Sequence, residues 1–138
     1  MTYTVRDSRL IADAIVARIG SSTSKEVGDT VAPADTSSLP YVVVYDLGED
    51  ITTDRVTLGD DQQTAELEYQ VTSVGSTARS ARWMSVQVRT ALSGWTPTVA
   101  GVGFGPMSSY NGPGSVTRDD GVQPPLFYAV DRFVMFAN

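Results

Sequence analysis

The stretch TAELEYQVTSVGSTARSARWMSVQVRTALSGW, residues 64–95, predicts a strand, a glycine turn and a long amphipathic helix. In the strand, Leu67, Tyr69 and Val71 alternate with polar residues, and this period of two is typical of one buried and one solvated face. Gly75 closes the strand pattern. The other elements of the chain are expected to pack around this unit.

The helix of this unit is expected from residue 78 to residue 92, where the sequence contains neither Gly nor Pro. The hydroxyl group of Ser76 or Thr77 can accept a hydrogen bond from an unpaired N–H group of the first turn, and Gly94 suits a left-handed C-terminal cap. With 3.6 residues per turn, one face carries the expected core residues Ala81, Met84, Ser85, Val88 and Leu92.

The opposite face of the same helix is the candidate interaction surface. It carries Arg79, Trp83, Val86 and Thr90, with Arg82 beside them. An exposed Trp next to Val and two Arg residues is a composition that protein interfaces favour. Another segment of the chain could equally cover Trp83, since single exposed hydrophobic side chains are common on monomers. The sequence leaves both interpretations open.

A first helix is expected near the start of the chain. Asp7 or Ser8 can cap it, Arg9 and Asp13 are spaced to pair on its solvated face, and Gly20 is expected to end it. Its apolar stripe consists of Leu10, Ile11, Ala14, Ile15 and Ile19. We expect this stripe to pack on the sheet or on the other helix.

Four further strands are predicted with different strength. The apolar run at 41–45 is typical of a central strand covered on both faces. Residues 127–137 are mostly apolar on both faces and predict a long strand near the middle of the sheet. Residues 55–58 predict a short strand, and residues 98–104 predict a weak or edge strand.

The segments between these elements are predicted to be connections. Residues 21–39 and 107–125 are rich in Ser, Pro and Gly and predict two long surface loops. Residues 46–53 predict an acidic connection. Together the elements predict an α/β (α+β) domain spanning residues 1–138, with a mainly antiparallel or mixed sheet of four to five strands and two helices on one face.

Composition excludes several classes of enzyme. The 138 residues include no Cys and no His, which excludes disulfides, thiolate or histidine metal sites, and serine–histidine hydrolases. No apolar run is long enough to span a membrane and the N-terminus lacks a signal-peptide core, so a soluble, unsecreted protein is expected. We expect no cofactor, no metal and no enzymatic activity.

The net charge of −6 arises from a local cluster of carboxylates. Such a surface repels nucleic acid, although it permits DNA to pass without binding. A carboxylate-lined binding or enzymatic site is the alternative, but the paired acidic residues stand in tandem on predicted turns, where Asp is common for turn geometry. Arg55 is the only basic residue in this segment. The acidic residues of the cluster are Asp46, Glu49, Asp50, Asp54, Asp60, Asp61, Glu66 and Glu68.

The layout resembles the tail terminator proteins of long-tailed bacteriophages (siphoviruses), particularly those of actinobacteriophages. The resemblance is carried by RLIADAIVARI (9–19), PYVVVYDLG (40–48), ELEYQVTSVGSTARSARWMSVQVRTALSG (66–94) and PPLFYAVDRFVMFAN (124–138). It implies a structural virion protein that forms a ring, usually hexameric. Such a ring caps the finished tail tube, stops its polymerisation and joins the tail to the head.

The resemblance also implies partners and a location. The partners are further copies of the chain, the tail tube protein and the head–tail connector or stopper protein, with DNA only passing through the bore and no membrane involved. The location is the neck region of the virion, after synthesis in the host cytoplasm. Another head–tail joining protein of the phage neck is an alternative, and a monomeric carboxylate-lined domain is an alternative of a different class.

Two sets of residues become candidate sites under this resemblance. A ring requires contacts between unlike patches of neighbouring subunits. The expected subunit contact comprises Arg79, Arg82, Trp83 and Val86. The expected lining of the ring lumen comprises Glu49, Asp50, Asp54, Asp60 and Asp61. The two long loops are expected to become ordered against the tube or the connector.

Overall fold

The computed structural model describes residues 6–33, 39–52, 64–109 and 115–137. Within them the chain forms two helices and one mixed sheet of six strands in the order β1-β2-β3-β6-β4, with β5 also pairing with β6. The predicted α+β class is confirmed, with more strands than the four to five expected. The elements are α1 (Ser8–Thr23), β1 (Val27–Asp29), β2 (Tyr41–Thr52), β3 (Thr64–Gly75), α2 (Ala78–Leu92), β4 (Ser108–Ser109), β5 (Val116–Asp119) and β6 (Leu126–Ala137).

The core lies between the two helices and one face of the sheet, here termed the inner face. Strand β3 pairs antiparallel with both β2 and β6, so that Leu67 lies opposite Met135 and Tyr69 opposite Phe133. These four side chains are buried. The helices contribute Ile11, Ile15, Ile19, Met84, Val88 and Leu92 to the same cluster. The opposite, outer face of the sheet carries the alternate residues of each strand.

Helix α1 is longer than the sequence predicts. Asp7 caps its start by accepting a hydrogen bond from the Arg9 backbone N–H at 3.0 Å. The expected end at Gly20 is wrong, because the helix continues to Thr23, whose hydroxyl donates to the Ile19 carbonyl at 2.7 Å. Ser24 then adopts a left-handed conformation and donates its N–H to the Gly20 carbonyl.

Two further details of α1 also differ from expectation. Leu10 is 50% exposed, and Ala12 is buried in the core face instead. The Arg9 side chain pairs with Asp7 at 2.9 Å rather than with Asp13. This pairing follows from the cap, since the Asp7 carboxylate already lies over the first turn and is therefore closer to Arg9.

The two expected long loops contain short strands. Within the segment 21–39, β1 pairs parallel with β2, with Val27 opposite Val42. Within the segment 107–125, β4 and β5 each pair antiparallel with β6. Strands of three, two and four residues are too short to show a clear period of two in the sequence, so only their pairing partners reveal them.

The expected acidic connection at 46–53 is wrong as well, because β2 continues to Thr52 in register with β3. A bulge between Asp46 and Gly48 shifts the alternation and conceals the strand in the sequence. The Gly48 backbone has φ 103° and donates its N–H to Asp46 Oδ1 at 2.8 Å. The strand expected at 55–58 lies outside the described residues.

The segment after α2 folds back over the core edge. Gly94, with φ 76°, donates its N–H to the Met107 carbonyl at 2.7 Å, and the Met107 N–H donates to the Trp95 carbonyl. The expected weak strand at 98–104 makes two isolated bridges, Val99 with Val102 and Phe104 with Ala137. Its apolar side chains pack partly buried against the core.

The turn from β3 into α2 depends on Gly75. A Cβ atom at this position would lie 2.2 Å from Ser80 Oγ and 2.7 Å from the Ala81 nitrogen. Because one of these atoms is backbone, relief of the clash requires α2 to move away from the end of β3.

Gly75→Ala is therefore expected to lower the free energy of unfolding by about 1–3 kcal/mol, because of this close approach. The measurement is urea denaturation followed by circular dichroism. Gly105→Ala is the matched control, since its added Cβ would meet nothing nearer than 3.8 Å, and it should not destabilise the fold. Equal stability of the two variants would contradict the close approach.

Candidate functional site

The exposed face of α2 is the candidate functional surface. Trp83 is 45% exposed and Val86 is 55% exposed, and Arg79 and Arg82 are exposed beside them. The Lys25 ammonium group lies 5.9 Å from the centroid of the Trp83 ring, within the range of a cation–π contact. We define the helix patch as Lys25, Arg79, Arg82, Trp83 and Val86.

The helix patch is presented to solvent because the other face of α2 is fixed. Met84 and Val88 are fully buried, and the helical period then directs Trp83 and Val86 outward. A capping box sets the start of the helix, in which the Thr77 side chain accepts from the Ser80 N–H at 3.1 Å and the Ser80 hydroxyl accepts from the Thr77 N–H at 3.2 Å. The predicted bounds and core stripe of this helix are confirmed.

No other described segment fully covers Trp83. A shallow depression of about 270 Å³ lies beside its ring and is lined by Pro40, Thr77, Arg79 and Ser80. Of the two interpretations that the sequence leaves open, the described part of the chain fits the one in which Trp83 is exposed, whereas its role in a subunit contact stays a prediction.

A buried polar contact holds α2 against the sheet. The Ser85 hydroxyl donates to Asp131 Oδ2 at 2.6 Å, which links the middle of the helix to β6. Arg89 Nε approaches the other oxygen of Asp131 at 3.9 Å, too far for a hydrogen bond. Asp131 is 1% exposed. Burial raises the pKa of its carboxyl group above the ordinary value, and the Ser85 hydrogen bond and the Arg89 charge oppose this rise.

Positive charge without a carboxylate partner is concentrated on the helix patch. Among the described residues, Arg6, Arg9, Arg89 and Arg118 each have a carboxylate within 4.0 Å, and Arg18 donates to the Ala91 carbonyl. The cations without such a partner in these ranges are Lys25, Arg79, Arg82 and Arg132. Three of these four surround Trp83, which is unexpected in a protein of net charge −6.

A second, carboxylate-lined cavity of about 250 Å³ lies beside the start of α1. It is lined by Arg6, Asp46, Glu49 and Tyr69, among others. Arg6 forms an ion pair with Glu49. Burial, together with the charges of Asp46 and Glu49, raises the pKa of Tyr69. No group of three or more acidic residues that could hold a metal ion occurs in the described ranges.

The residues predicted to line a ring lumen are only partly described. Glu49 is partly exposed and paired with Arg6, and Asp50 lies in β2 opposite Glu66. Asp54, Asp60 and Asp61 lie outside the described residues. The lumen assignment therefore stays a prediction.

Sequence reasoning missed Lys25 as a participant and did not identify the partner of Asp131. Lys25 reaches Trp83 only because the end of α1 lies beside α2, and no sequence pattern signals this contact. Asp131 gave a signal, since a carboxylate on an apolar strand face needs a partner in the core. The identity of that partner, Ser85, depends on the packing of α2 on β6.

Comparison with known proteins establishes a shared fold. No protein-family model and no curated protein matches the sequence. A chain from the virion of a native gene transfer agent particle has a TM-score of 0.63 and 13% identity, covering 99% of this chain and 98% of that chain. A second solved structure has a TM-score of 0.59 and 19% identity, covering 96% of both chains. In the described part of the chain, no helix is long and apolar enough to cross a membrane.

The raised pKa of Asp131 predicts a specific pH dependence of stability. The folded protein binds this proton more tightly than the unfolded chain, whose carboxyl group has a pKa near 3.8. The contribution of the protonated Asp131 to stability is thus fully present below pH 3.8 and is lost as pH rises through the higher pKa of the folded protein. Asp131→Asn removes the titration, so the variant should gain stability relative to the native protein as pH increases from about 4 to about 7.

Thermal denaturation of both proteins across this pH range measures the effect. Asp119→Asn is a suitable control, because Asp119 lies on the short strand β5 and is not buried in the core. A difference in stability between Asp131→Asn and the native protein that does not change with pH would contradict the raised pKa.

Proposed function

We propose that the chain is a structural subunit of a phage-like virion, and specifically the ring-forming tail terminator that caps the tail tube and joins tail to head. The observation that supports it most is the match, over nearly the whole length of both chains, to a chain from a gene transfer agent virion. The bacteriophage resemblance of the sequence points to the same class of particle. The function is assembly, without catalysis or a cofactor.

The helix patch supports this proposal as one side of a subunit contact. Interfaces are enriched in Trp and Arg, and their energetic centre is typically an aromatic side chain that fills a pocket. Arg79, Arg82, Trp83 and Val86 provide this composition on a helix whose other face is rigidly packed. The partners are further copies of the chain, the tail tube protein and the connector or stopper protein.

The remaining features of the proposal concern the bore and the location. We place the subunit, as one domain of residues 1–138, in the neck of the virion after synthesis in the host cytoplasm. Negative charge along the bore would allow DNA to pass without binding. The proposed lining comprises Glu49, Asp50, Asp54, Asp60 and Asp61.

The proposal is tested by imaging the purified protein. Negative-stain microscopy and light scattering, with and without isolated tail tubes, should show rings of about six copies at tube ends and an arrest of tube growth. Rings at the portal vertex of heads instead of at tube ends would favour another head–tail joining protein. A strictly monomeric protein that neither caps tubes nor enters virions would contradict the proposal.

Trp83→Ala is expected to weaken assembly while preserving the fold. The Trp83 side chain is about half exposed, so its loss should change the free energy of unfolding little. Loss of an interface anchor, in contrast, typically costs about 2 kcal/mol of binding free energy, or about 30-fold in affinity. Analytical ultracentrifugation measures association, and circular dichroism measures folding. Leu10→Ala is the control, because Leu10 has a similar exposure but lies near the start of α1, outside the helix patch. This variant should assemble normally. Melting of the Trp83→Ala fold would instead place Trp83 in the core.

A further inference from the structure

The outer face of the sheet carries two partly exposed carboxylates, whose charge is opposite to that of the helix patch. Arg132 is exposed on the same face, opposite Gln70. The pairing of β3 with β6 places Glu66 opposite Phe136 and Glu68 opposite Val134. Phe136 is 51% exposed, and Glu66, Glu68 and Val134 are partly exposed. Neither glutamate has a cation within 4.0 Å among the described residues. We define the sheet patch as Glu66, Glu68, Val134 and Phe136.

The helix patch and the sheet patch lie on opposite sides of the molecule. Helix α2 packs on the inner face of the sheet through Met84 and Val88, so the helix patch points away from the sheet on that side. The sheet patch belongs to the alternate residues of β3 and β6, which point away on the other side. A subunit with unlike patches on opposite sides associates head to tail.

We propose that the helix patch of one copy binds the sheet patch of the next copy. This inference rests on the proposed function, because it names the partner of the helix patch. Arg79 and Arg82 then face Glu66 and Glu68, while the Trp83 ring lies against Phe136. Each contact combines charge complementarity with the burial of two exposed aromatic side chains.

The charge pattern also disfavours the symmetric alternative. Two helix patches facing one another would bring six uncompensated cations together, and two sheet patches would bring four carboxylates together. Like charges juxtaposed in an interface strongly disfavour association. The same surface therefore attracts the unlike patch and repels a copy of itself, which selects head-to-tail order over a two-fold dimer.

A nucleic acid is the alternative partner that a cationic helix face could attract. The helix patch contains only three cations, whereas the whole chain has a net charge of −6 and two exposed hydrophobic side chains occupy the centre of the patch. Long-range repulsion from DNA and an apolar centre both favour a protein surface. We therefore commit to a second copy of the chain, and DNA binding becomes an outcome of the test.

Charge reversal tests the pairing. The variants Arg79→Glu/Arg82→Glu and Glu66→Arg/Glu68→Arg should each lose association by about 100-fold or more, because one patch then repels its partner. An equimolar mixture of the two variants should assemble again in alternating order, and the quadruple variant should assemble alone. Sedimentation velocity and tube capping provide the readouts, and circular dichroism verifies folding.

Two further samples complete the design. Arg9→Glu/Arg118→Glu changes the net charge by the same amount as Arg79→Glu/Arg82→Glu, but at two exposed arginines outside both patches. This control should assemble like the native protein. Glu66→Gln/Glu68→Gln is a milder change that should weaken association by about 10-fold if the arginine variant of these positions does not fold.

The outcomes separate the inference from the proposed function. If the native protein forms rings or caps tubes but neither the mixture nor the quadruple variant assembles, the sheet patch is not the partner, and the proposed function stands. If the native protein neither self-associates nor caps tubes, both proposals fail. If Arg79→Glu/Arg82→Glu still self-associates but loses binding to a duplex DNA probe, the partner is DNA and the inference is overturned.

Discussion

Pairing of β3 along its whole length with two long neighbours is the constraint on which the rest of the structure depends. Both β2 and β6 fix the register of this strand, so its alternate side chains are held on the inner face of the sheet. Only two residues separate β3 from α2, and Gly75 lets the helix begin against the strand end. The direction of α2, and therefore of the helix patch, follows from the register of one strand.

The parts of the fold that the sequence predicts are those in which local pattern and tertiary packing agree. Helix α2 has a clear period and caps at both ends, and its predicted bounds match the structure. Strands β1, β4 and β5 are stabilised by the neighbours with which they pair, so their own residues carry little signal. The extension of β2 is concealed by a bulge, and the last turn of α1 forms past Gly20 because backbone and hydroxyl hydrogen bonds satisfy it.

Some residues of the candidate site can likewise be predicted from the sequence, and others depend on the fold. Trp83, Val86, Arg79 and Arg82 follow from helical periodicity alone, because a helix that buries one face must expose the other. The Lys25 contact and the pairing of Glu66 with Phe136 depend on segments that are distant in sequence. Charge composition indicates an acidic protein. Only the fold reveals that three of the four unpaired cations in the described ranges lie beside Trp83, and that carboxylates accompany Phe136 on the other side, where the fourth cation, Arg132, is also exposed.

The hydrogen bond between Ser85 and Asp131 joins the helix that bears one patch to the strand that bears the other. Phe136 lies five residues beyond Asp131 on β6, so this hydrogen bond links the two elements that carry the surfaces of the proposed head-to-tail assembly. In that proposed assembly, the angle between successive copies would depend on how α2 packs on β6. A small rotation of α2 over β6 would change the curvature of the assembly, and with it the number of copies that close a circle.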